Sequence, residues 1–306
     1  MDTGNGLSNM PSTPMQDLLK QVKKLEIQSR KLSNSVTGGN FMSAFKGRGM
    51  SFKEVREYVA GDDPRFIDWN TSARLGDTYT KVFDEDKDFR FMLLVDGSAS
   101  AFVGSGYAAK MEYATQLAAS IGFSSMSNNE KTGLLIFTDQ VEQYIPPEQG
   151  KDHFLRILTK LLTYRPKKRG TDLAKALQLM VNTTRQTTIF FVISDFVSPD
   201  FTKQMKMLAP RHDCIAMHVY DALDMSLPDI GLLPIEDAET GELVWMDSSN
   251  PATRHAMYQK QQQQILEIQQ SIVNCGWDYI RLRTDMAYAN AMQTFLRNRI
   301  KNKRSR

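Results

Sequence analysis

Cysteine and histidine are scarce in this chain of 306 residues, which has two cysteines and four histidines. Cys214 and Cys275 stand in no Cys-x-x-Cys motif, and no histidine lies at the spacing of a zinc site. Structural zinc and redox-active dithiols are therefore not expected. Two cysteines also cannot build a disulfide framework for a chain of this length. We expect two reduced thiols in a cytoplasmic protein.

Long apolar runs and a strong net charge are missing as well. The apolar runs are short, as at Phe91–Val95, and a membrane-spanning helix needs about 20 apolar residues. The polar N-terminus, MDTGNGLSNMPSTPM, shows no signal peptide. Lys plus Arg number 38 and Asp plus Glu 35, which gives a net charge of +3. Averaged over the chain, that excess is too small to indicate nucleic-acid binding.

The rest of the composition is that of an ordinary globular protein, with 41% hydrophobic and 24% charged residues. Residues 1–16 are expected to be a disordered lead. Residues 17–88 comprise an amphipathic helix at 17–32 and an irregular β-containing region, both expected to pack on the core. Residues 89–300 form the main domain, and residues 301–306 a basic tail.

Apolar runs alternate with helical patterns from residue 89 onward. Each run suits a strand buried on both faces, and each helix suits a crossover between parallel strands. Since such crossovers are right-handed, the pattern predicts a doubly wound, mostly parallel α/β sheet with helices on both faces. Turn residues between two short strands also predict an inserted hairpin near 232–246. The five runs are Phe91–Val95, Leu134–Phe137, Ile189–Ile193, Cys214–Tyr220 and Tyr279–Leu282.

Polar side chains follow the first and third of these runs, and a threonine opens the helix between them. In open parallel sheets, ligands bind beyond the carboxyl ends of the strands, where the strand order reverses. Two carboxylates and three hydroxyls there form an all-oxygen set, which suits Mg²⁺ and, as alternatives, Mn²⁺ or Ca²⁺. The candidate metal ligands are Asp96, Ser98, Ser100, Thr171 and Asp195.

Each hydroxyl also has a simpler interpretation as a helix cap. Ser98 and Ser100 could cap the helix that follows them, and Thr171 could cap its own. Taken singly, each serine fits a cap better than a ligand. The coincidence of all five positions with the predicted edge of the sheet favours the metal site.

Two sets of motifs resemble known families. The spacing Asp96-x-Ser98-x-Ser100, with Thr171 and Asp195, resembles the metal-ion-dependent adhesion site of von Willebrand factor A-type domains. The upstream motifs resemble the signature of the bacterial domain-of-unknown-function family number fifty-eight, and the resemblance runs from about residue 17 to 300. Those motifs are FKGRG at 45–49, VREY at 55–58, GDDPRFIDW at 61–69 and SAR at 72–74.

The resemblance implies a von Willebrand A-type fold and metal-dependent protein binding. It also implies a MoxR-type AAA+ ATPase as the partner, in chaperone-like maturation or stress tolerance. The chemistry of the metal site itself, with three uncharged hydroxyls, favours an acidic contact residue from a partner or client protein. Ala101 and Asn70 depart from the family pattern, where Met and Lys are common, but neither is a ligand position.

Two other classes of function stay open. One is a Mg²⁺-dependent phosphoryl-transfer enzyme with Asp96 as its nucleophile. That chemistry normally has a second carboxylate two residues further on, where this chain has Ser98. The other is a purely structural domain with an empty metal site. We expect no enzymatic activity and no catalytic residues.

Two basic runs have a solvated interpretation and a functional one. Lys167, Lys168 and Arg169 directly precede Thr171, so they are candidates for a rim that attracts an acidic partner. The six basic residues from Arg297 to the C-terminus are expected to form a solvated face.

The segment 61–69 is dense in carboxylates and arginines, but it has no nearby nucleophile or histidine that would indicate catalysis. We expect a buried or half-buried network of ion pairs that holds this region on the core. A partner-docking surface is the alternative. The arginines are Arg56, Arg65 and Arg74, and their candidate partners are Glu57, Asp62, Asp63 and Asp68.

Overall fold

The computed structural model describes residues 44–45, 50–85, 89–102, 109–226, 228–236 and 243–304. The predicted lead at 1–16, the amphipathic helix at 17–32 and the turn at 237–242 lie outside these residues. Within the described ranges, no helix is long and apolar enough to cross a membrane.

Strands and helices alternate through most of the described chain. The strands are β1 (Met50–Glu57), β2 (Tyr79–Glu85), β3 (Arg90–Asp96), β4 (Lys131–Phe137), β5 (Val141–Glu148), β6 (Ile189–Ser194), β7 (Asp213–Tyr220), β8 (Leu232–Glu236), β9 (Leu243–Asp247) and β10 (Asp278–Arg283). The helices are α1 (Trp69–Leu75), α2 (Ala109–Ser127), α3 (Lys151–Thr163), α4 (Leu173–Thr183), α5 (Thr202–Leu208), α6 (Ala222–Met225), α7 (Pro251–Asn274) and α8 (Tyr288–Arg304).

Six strands form the central sheet, in the order β10-β7-β6-β3-β4-β5. Neighbouring strands are parallel, except that β5 runs antiparallel to β4 at one edge. The chain moves from β3 outward through β4 to β5 and then continues with β6 on the other side of β3, so the strand order reverses between β3 and β6. The predicted doubly wound, mostly parallel α/β sheet is confirmed.

The central strands are buried on both faces because their side chains alternate between two helical layers. On β3, Phe91, Leu93 and Val95 belong to the core formed with α2, α3 and α8. Met92 and Leu94 belong to the core formed with α4, α5 and α7. These five side chains are at most 2% exposed. Two apolar layers therefore fix the position of the strand ends that carry the site.

Strand β5 has no clear signal in the sequence, because Pro146 and Pro147 argue against a strand. The sheet accommodates both prolines since β5 is an edge strand, where an N–H on the outer side needs no partner. Among the residues of β5, Ile145 alone is buried.

The segment 50–85 forms its own antiparallel hairpin, β1–β2, with a short 3₁₀ helix at Pro64–Phe66 and helix α1 between the strands. Neither helix has a buried residue. The described ion pairs join residues of the segment itself, so they do not hold it on the core as predicted. Arg65 is 84% exposed, whereas Asp62 and Asp68 are half-buried, so the network is at most half-buried. The pairs are Arg56–Asp62 at 2.8 Å, Arg65–Asp63 at 2.6 Å and Lys81–Asp68 at 3.6 Å.

Strands β8 and β9 pair antiparallel, which places the inserted hairpin where the sequence predicts it. Leu232, Leu243 and Trp245 of this hairpin are exposed. Trp69, at the start of α1, is exposed as well. Trp277 is instead buried, and its indole N–H donates to the carbonyl of Met205 at 3.0 Å.

Helix α8 ends at Arg304, so part of the predicted basic tail is helical. Arg299 is not part of a solvated face, because its guanidinium is buried between the carboxylates of Asp213 and Asp278. Its Nε also donates to the carbonyl of Ala44 at 3.0 Å. Arg299 therefore joins α8 to the amino ends of β7 and β10.

Candidate metal centre

The loop after β3 brings an aspartate and two serines to the carboxyl end of the sheet. Gly97 donates its N–H to the carbonyl of Phe137 at 2.8 Å, which ties this loop to the end of β4. Asp96 Oδ1 accepts the N–H of Ser98 at 3.0 Å, and a 3₁₀ helix follows at Ala99–Phe102. The turn leaves Asp96 and Ser98 buried, so both side chains are held in place.

Gly97 is required where the ring of Tyr164 crosses the loop. A Cβ atom at position 97 would lie 2.4 Å from Tyr164 Cε1, closer than any ordinary contact. The Tyr164 hydroxyl donates to the carbonyl of Gly97 at 3.3 Å. This contact holds the loop after α3 against the loop after β3.

Thr171 lies in the connection from α3 to α4, which is fixed on both sides. Ala99 donates its N–H to the carbonyl of Arg169 at 3.0 Å, and Asp172 donates its N–H to the carbonyl of Thr138 at 2.9 Å. Thr171 lies in the sequence between Arg169 and Asp172, the two residues that make these bonds, and its side chain is buried. The N-cap of α4 is Asp172, whose carboxylate accepts a backbone N–H of the first turn. The interpretation of Thr171 as that cap is therefore wrong.

Ser98, Ser100 and Asp195 form a continuous hydrogen-bonded row of oxygens. Ser98 Oγ lies 3.0 Å from Ser100 Oγ, and Ser100 Oγ donates to Asp195 Oδ2 at 3.0 Å. Asp195 follows β6, and its Oδ1 accepts the N–H of Val197 at 3.2 Å. Within the described residues, the serine hydroxyls thus contact the predicted ligand set rather than a helix end. The structure places the five predicted residues on adjoining loops at one edge of the sheet.

Ser194 is a residue of this site that the sequence analysis misses. Its hydroxyl donates to Asp96 Oδ2 at 2.6 Å and accepts the N–H of Phe196 at 2.9 Å. A lone hydroxyl at the end of an otherwise apolar strand was the available signal. Burial, and then the charge of Asp195, hold the pKa of Asp96 well above its usual range.

Lys110 is the second residue that the sequence analysis misses. Its Nζ lies 3.3 Å from Asp195 Oδ2 and 2.8 Å from Asp224 Oδ2, and its side chain is 8% exposed. Burial lowers the pKa of Lys110, but the two carboxylates outweigh burial and raise it above the ordinary value. The available signal was a lysine on the side of α2 that carries Ala114 and Leu117, both buried.

A small cavity of about 20 Å³ adjoins these charges. Its lining includes Asp96, Lys110, Ser194 and Asp195, and apolar side chains complete it. A cavity of this size holds about one water molecule. The candidate centre therefore borders a small space on the α2 side of the sheet, lined by both charged and apolar side chains.

The predicted basic rim is exposed at Lys167, Lys168 and Arg169. The backbone of Arg169 contacts the loop after β3 through the bond from Ala99. The rim therefore adjoins the candidate centre and is accessible to another molecule.

These residues fit a hard divalent cation. The donor set consists of carboxylate and hydroxyl oxygens, which Mg²⁺ prefers. Burial is the main cause of the raised pKa of Asp96, so a cation bound beside Asp96 would favour its charged form. Among the described residues, no three His, Cys, Asp or Glu side chains converge on one point, so a zinc site of nitrogen and sulfur ligands does not compete there.

Comparison with protein families matches residues 54–266 to the family described as "Protein of unknown function DUF58". The uncharacterized protein Rv1480 of Mycobacterium tuberculosis is 28% identical over 285 residues, which cover 92% of this chain and 90% of that protein. The uncharacterized protein YeaD of Bacillus subtilis is 32% identical over 108 residues, which cover 35% of this chain and 25% of that protein.

Three solved structures are similar to parts of the chain. BatB from Bacteroides thetaiotaomicron is 16% identical, with 70% of this chain and 99% of that chain covered and a TM-score of 0.42. An aerotolerance-related membrane protein from Bacteroides fragilis is 18% identical, with 70% and 99% covered and a TM-score of 0.43. The VWA domain of SpRpn10 is 12% identical, with 69% and 94% covered and a TM-score of 0.36.

Proposed function

This chain belongs to DUF58, a family of proteins of unknown function, and from the geometry of its site we propose that it is a metal-dependent protein-binding module. The observation that supports the proposal is the row of oxygens where the strand order reverses, in which Ser98, Ser100 and Asp195 are joined by bonds of 3.0 Å. Bound there, Mg²⁺ supplies a positive centre that a carboxylate from another protein can reach.

The side chains of the site would share the work of holding the ion. Asp96 and Asp195 supply negative charge, and the hydroxyls of Ser98, Ser100 and Thr171 supply oxygens without charge. Because the hydroxyls are neutral, the site favours an additional negative ligand from outside. An Asp or Glu side chain of a partner has this chemistry. The protein's own contribution is to hold its ligands rigidly, as Ser194 does for Asp96.

The exposed basic rim would attract the partner protein before the two molecules are in contact. Lys167, Lys168 and Arg169 lie on the surface, where positive charge attracts an acidic partner and raises the association rate. Salt screens the attraction between exposed charges before the two proteins touch, so the association rate should fall as ionic strength rises.

We propose a MoxR-type AAA+ ATPase as the partner, with a client protein that presents an acidic residue to the site. Family membership and the motifs at 45–74 support this choice. Maturation of a client or tolerance of stress would be the cellular role.

The geometry favours binding over phosphoryl transfer. Both carboxylate oxygens of Asp96 already accept hydrogen bonds, from Ser98 N–H and Ser194 Oγ. Ser98 also stands where this chemistry would use a second carboxylate.

The test is a pulldown from the source cell with Mg²⁺ or with EDTA, using wild type, Asp96→Ala and Thr171→Ala. Asp152→Ala is the control, because it removes an exposed carboxylate from the first turn of α3. We expect an AAA+ ATPase to be recovered by wild type and Asp152→Ala with Mg²⁺, and to be lost with EDTA or with the site variants.

The partner then allows a kinetic test of the rim. Lys167→Glu combined with Lys168→Glu should slow association without changing Mg²⁺ affinity. If EDTA and Thr171→Ala leave partner affinity unchanged, the metal is not the docking point. The exposed apolar residues Trp69 and Trp245 then mark the surfaces to change next.

A further inference from the structure

We propose that Lys110 competes with the metal ion for the carboxylate of Asp195 and thereby sets how tightly the site binds Mg²⁺. The inference rests on the proposed metal-binding function. It concerns a side chain that lies outside the five predicted ligands and that contacts one of them directly.

The contact is made at the oxygen that a metal ion would need. Asp195 Oδ2 accepts from Ser100 Oγ at 3.0 Å and from Lys110 Nζ at 3.3 Å, and Oδ1 accepts the N–H of Val197. Since Ser100, another predicted ligand, contacts Oδ2, an ion held between Ser100 and Asp195 would lie at this oxygen and would share it with the ammonium or displace it. An ammonium and a divalent cation on the same oxygen repel each other strongly here, because the side chains of Lys110 and Asp195 are only 8% and 11% exposed.

Lys110 also has a second carboxylate available. Asp224 Oδ2 lies 2.8 Å from the same Nζ, closer than Asp195 does. Asp224 is held by α6, where its Oδ2 accepts the N–H of Asp221 at 2.8 Å. The cavity of about 20 Å³ beside Lys110 leaves room for a small shift of the ammonium. Lys110 can therefore keep its ion pair with Asp224 when Asp195 coordinates a metal ion.

The same lysine stabilises the protein when no metal is bound. Its ammonium lies 3.3 Å from Asp195 Oδ2 and 2.8 Å from Asp224 Oδ2, so it offsets the repulsion between these two carboxylates. Lys110 therefore has opposite effects on the two forms, since it stabilises the metal-free site and weakens the metal-bound one.

The experiment measures Mg²⁺ affinity by calorimetry and the melting temperature in EDTA, for the full chain and four variants, one of which is Asp96→Ala. Lys110→Met removes the ammonium but keeps an unbranched apolar side chain as far as the ε position. We expect it to bind Mg²⁺ about tenfold more tightly and to melt at a lower temperature in EDTA. Asp224→Asn leaves Lys110 to Asp195 alone, so we expect Mg²⁺ affinity to fall about threefold or more.

Lys175→Met is the matched control. The Nζ of Lys175 lies 3.0 Å from Oδ2 of Asp172, the residue that follows Thr171. The side chain of Lys175 is 63% exposed. Loss of this nearby exposed charge should change Mg²⁺ affinity by less than about twofold.

The outcomes separate this inference from the proposed function. A purely structural role for Lys110 predicts weaker binding in both Lys110→Met and Asp224→Asn, and that result overturns the inference. Equal affinity in wild type and Lys110→Met, with binding lost in Asp96→Ala, overturns it and leaves the metal site intact. If neither wild type nor Lys110→Met binds Mg²⁺, both fail. If Lys110→Met does not fold, Asp224→Asn decides, since unchanged or tighter binding there contradicts the competition.

Discussion

The hydroxyl of Ser194 donates to the carboxylate of Asp96 at 2.6 Å, although 98 positions separate the two residues. They end adjacent parallel strands, β6 and β3, at the point where the strand order reverses. Ser194 thereby fixes the orientation of a carboxylate whose other oxygen is held by the loop after β3. A side chain that orients a ligand in this way affects metal affinity without contacting the metal.

We expect Ser194→Ala to weaken Mg²⁺ binding about 10- to 100-fold, because Asp96 loses the bond that orients it. Ser127→Ala is the control, since Ser127 Oγ donates to the carbonyl of Phe123 at the end of α2, next to the amino end of β4 and away from the site. Calorimetric titration of both variants measures the effect. Equal Mg²⁺ affinities in the two variants would contradict the role given to Ser194.

The pKa of Asp96 predicts a pH dependence of metal binding. Its pKa is held above the usual range, so a proton competes with the cation and Mg²⁺ affinity should rise from about pH 5 to about pH 8. Without Mg²⁺, in EDTA, the folding stability should change with pH in the opposite direction and fall as pH rises. The folded pKa exceeds the unfolded one, so this contribution to stability is present at acid pH and is lost as pH rises. Melting curves at several pH values, with Mg²⁺ or EDTA, should show both trends, and Asp96→Asn should abolish both.

Gly97→Ala should destabilise the protein by about 1–3 kcal/mol, because the added methyl group overlaps the ring of Tyr164. Gly170→Ala is the control on the neighbouring loop, where a Cβ would lie at an ordinary 3.7 Å from Asp139 Cβ. We expect that substitution to cost less than about 0.5 kcal/mol. Urea denaturation of the two variants measures the difference, and a similar cost for both would show that Tyr164 moves aside freely.

Arg299→Met should cost about 3–5 kcal/mol of folding free energy, since it leaves the buried carboxylate of Asp213 without its partner. Arg297→Met, two residues earlier on α8 and exposed, should change stability by less than about 0.5 kcal/mol. Denaturant midpoints of both variants provide the comparison. A small effect at Arg299 would mean that water reaches the Asp213 carboxylate.

His212 predicts a loss of stability in acid. Burial, and then the charge of Arg211, lower the pKa of His212 to about 4. The imidazole ring packs edge-on against Phe190, with 5.1 Å between the two ring centres. This contribution to stability is therefore present above about pH 6.5 and is lost as pH falls toward 4. His212→Phe should flatten the stability profile between those values, and the exposed His255→Phe should not. Thermal melting across that range distinguishes them.

The sequence was informative wherever the pattern reflects burial on both faces of a strand. The runs around Leu93, Leu135 and Val192 predict β3, β4 and β6, and the residues after them predict the edge of the sheet where the site lies. Strand β5 could not be predicted in this way, because its one buried residue, Ile145, lies directly before two prolines.

The site was predictable where one loop supplies a recognisable spacing, as for Asp96, Ser98 and Ser100. The sequence does show a lysine on the buried side of α2 and a hydroxyl at the end of β6. It does not show the distant partners through which Lys110 and Ser194 act. Arg299 was misjudged for the same reason, since its carboxylate partners lie 86 and 21 positions away. Only the packing of α8 on the sheet brings those charges together.

The three tryptophans occupy environments so different that they divide the intrinsic fluorescence of the protein between them. Trp69 and Trp245 are 70% and 66% exposed, so both should emit at long wavelength and be quenched by iodide in the native state. Trp277 is 3% exposed and donates its N–H to Met205, so it should emit at short wavelength and resist iodide. The spectral shift on unfolding therefore comes from Trp277 and reports loss of the contact between α5 and the start of β10. The iodide-quenched fraction comes from Trp69 and Trp245 and reports the exposure of the β1–β2 and β8–β9 hairpins.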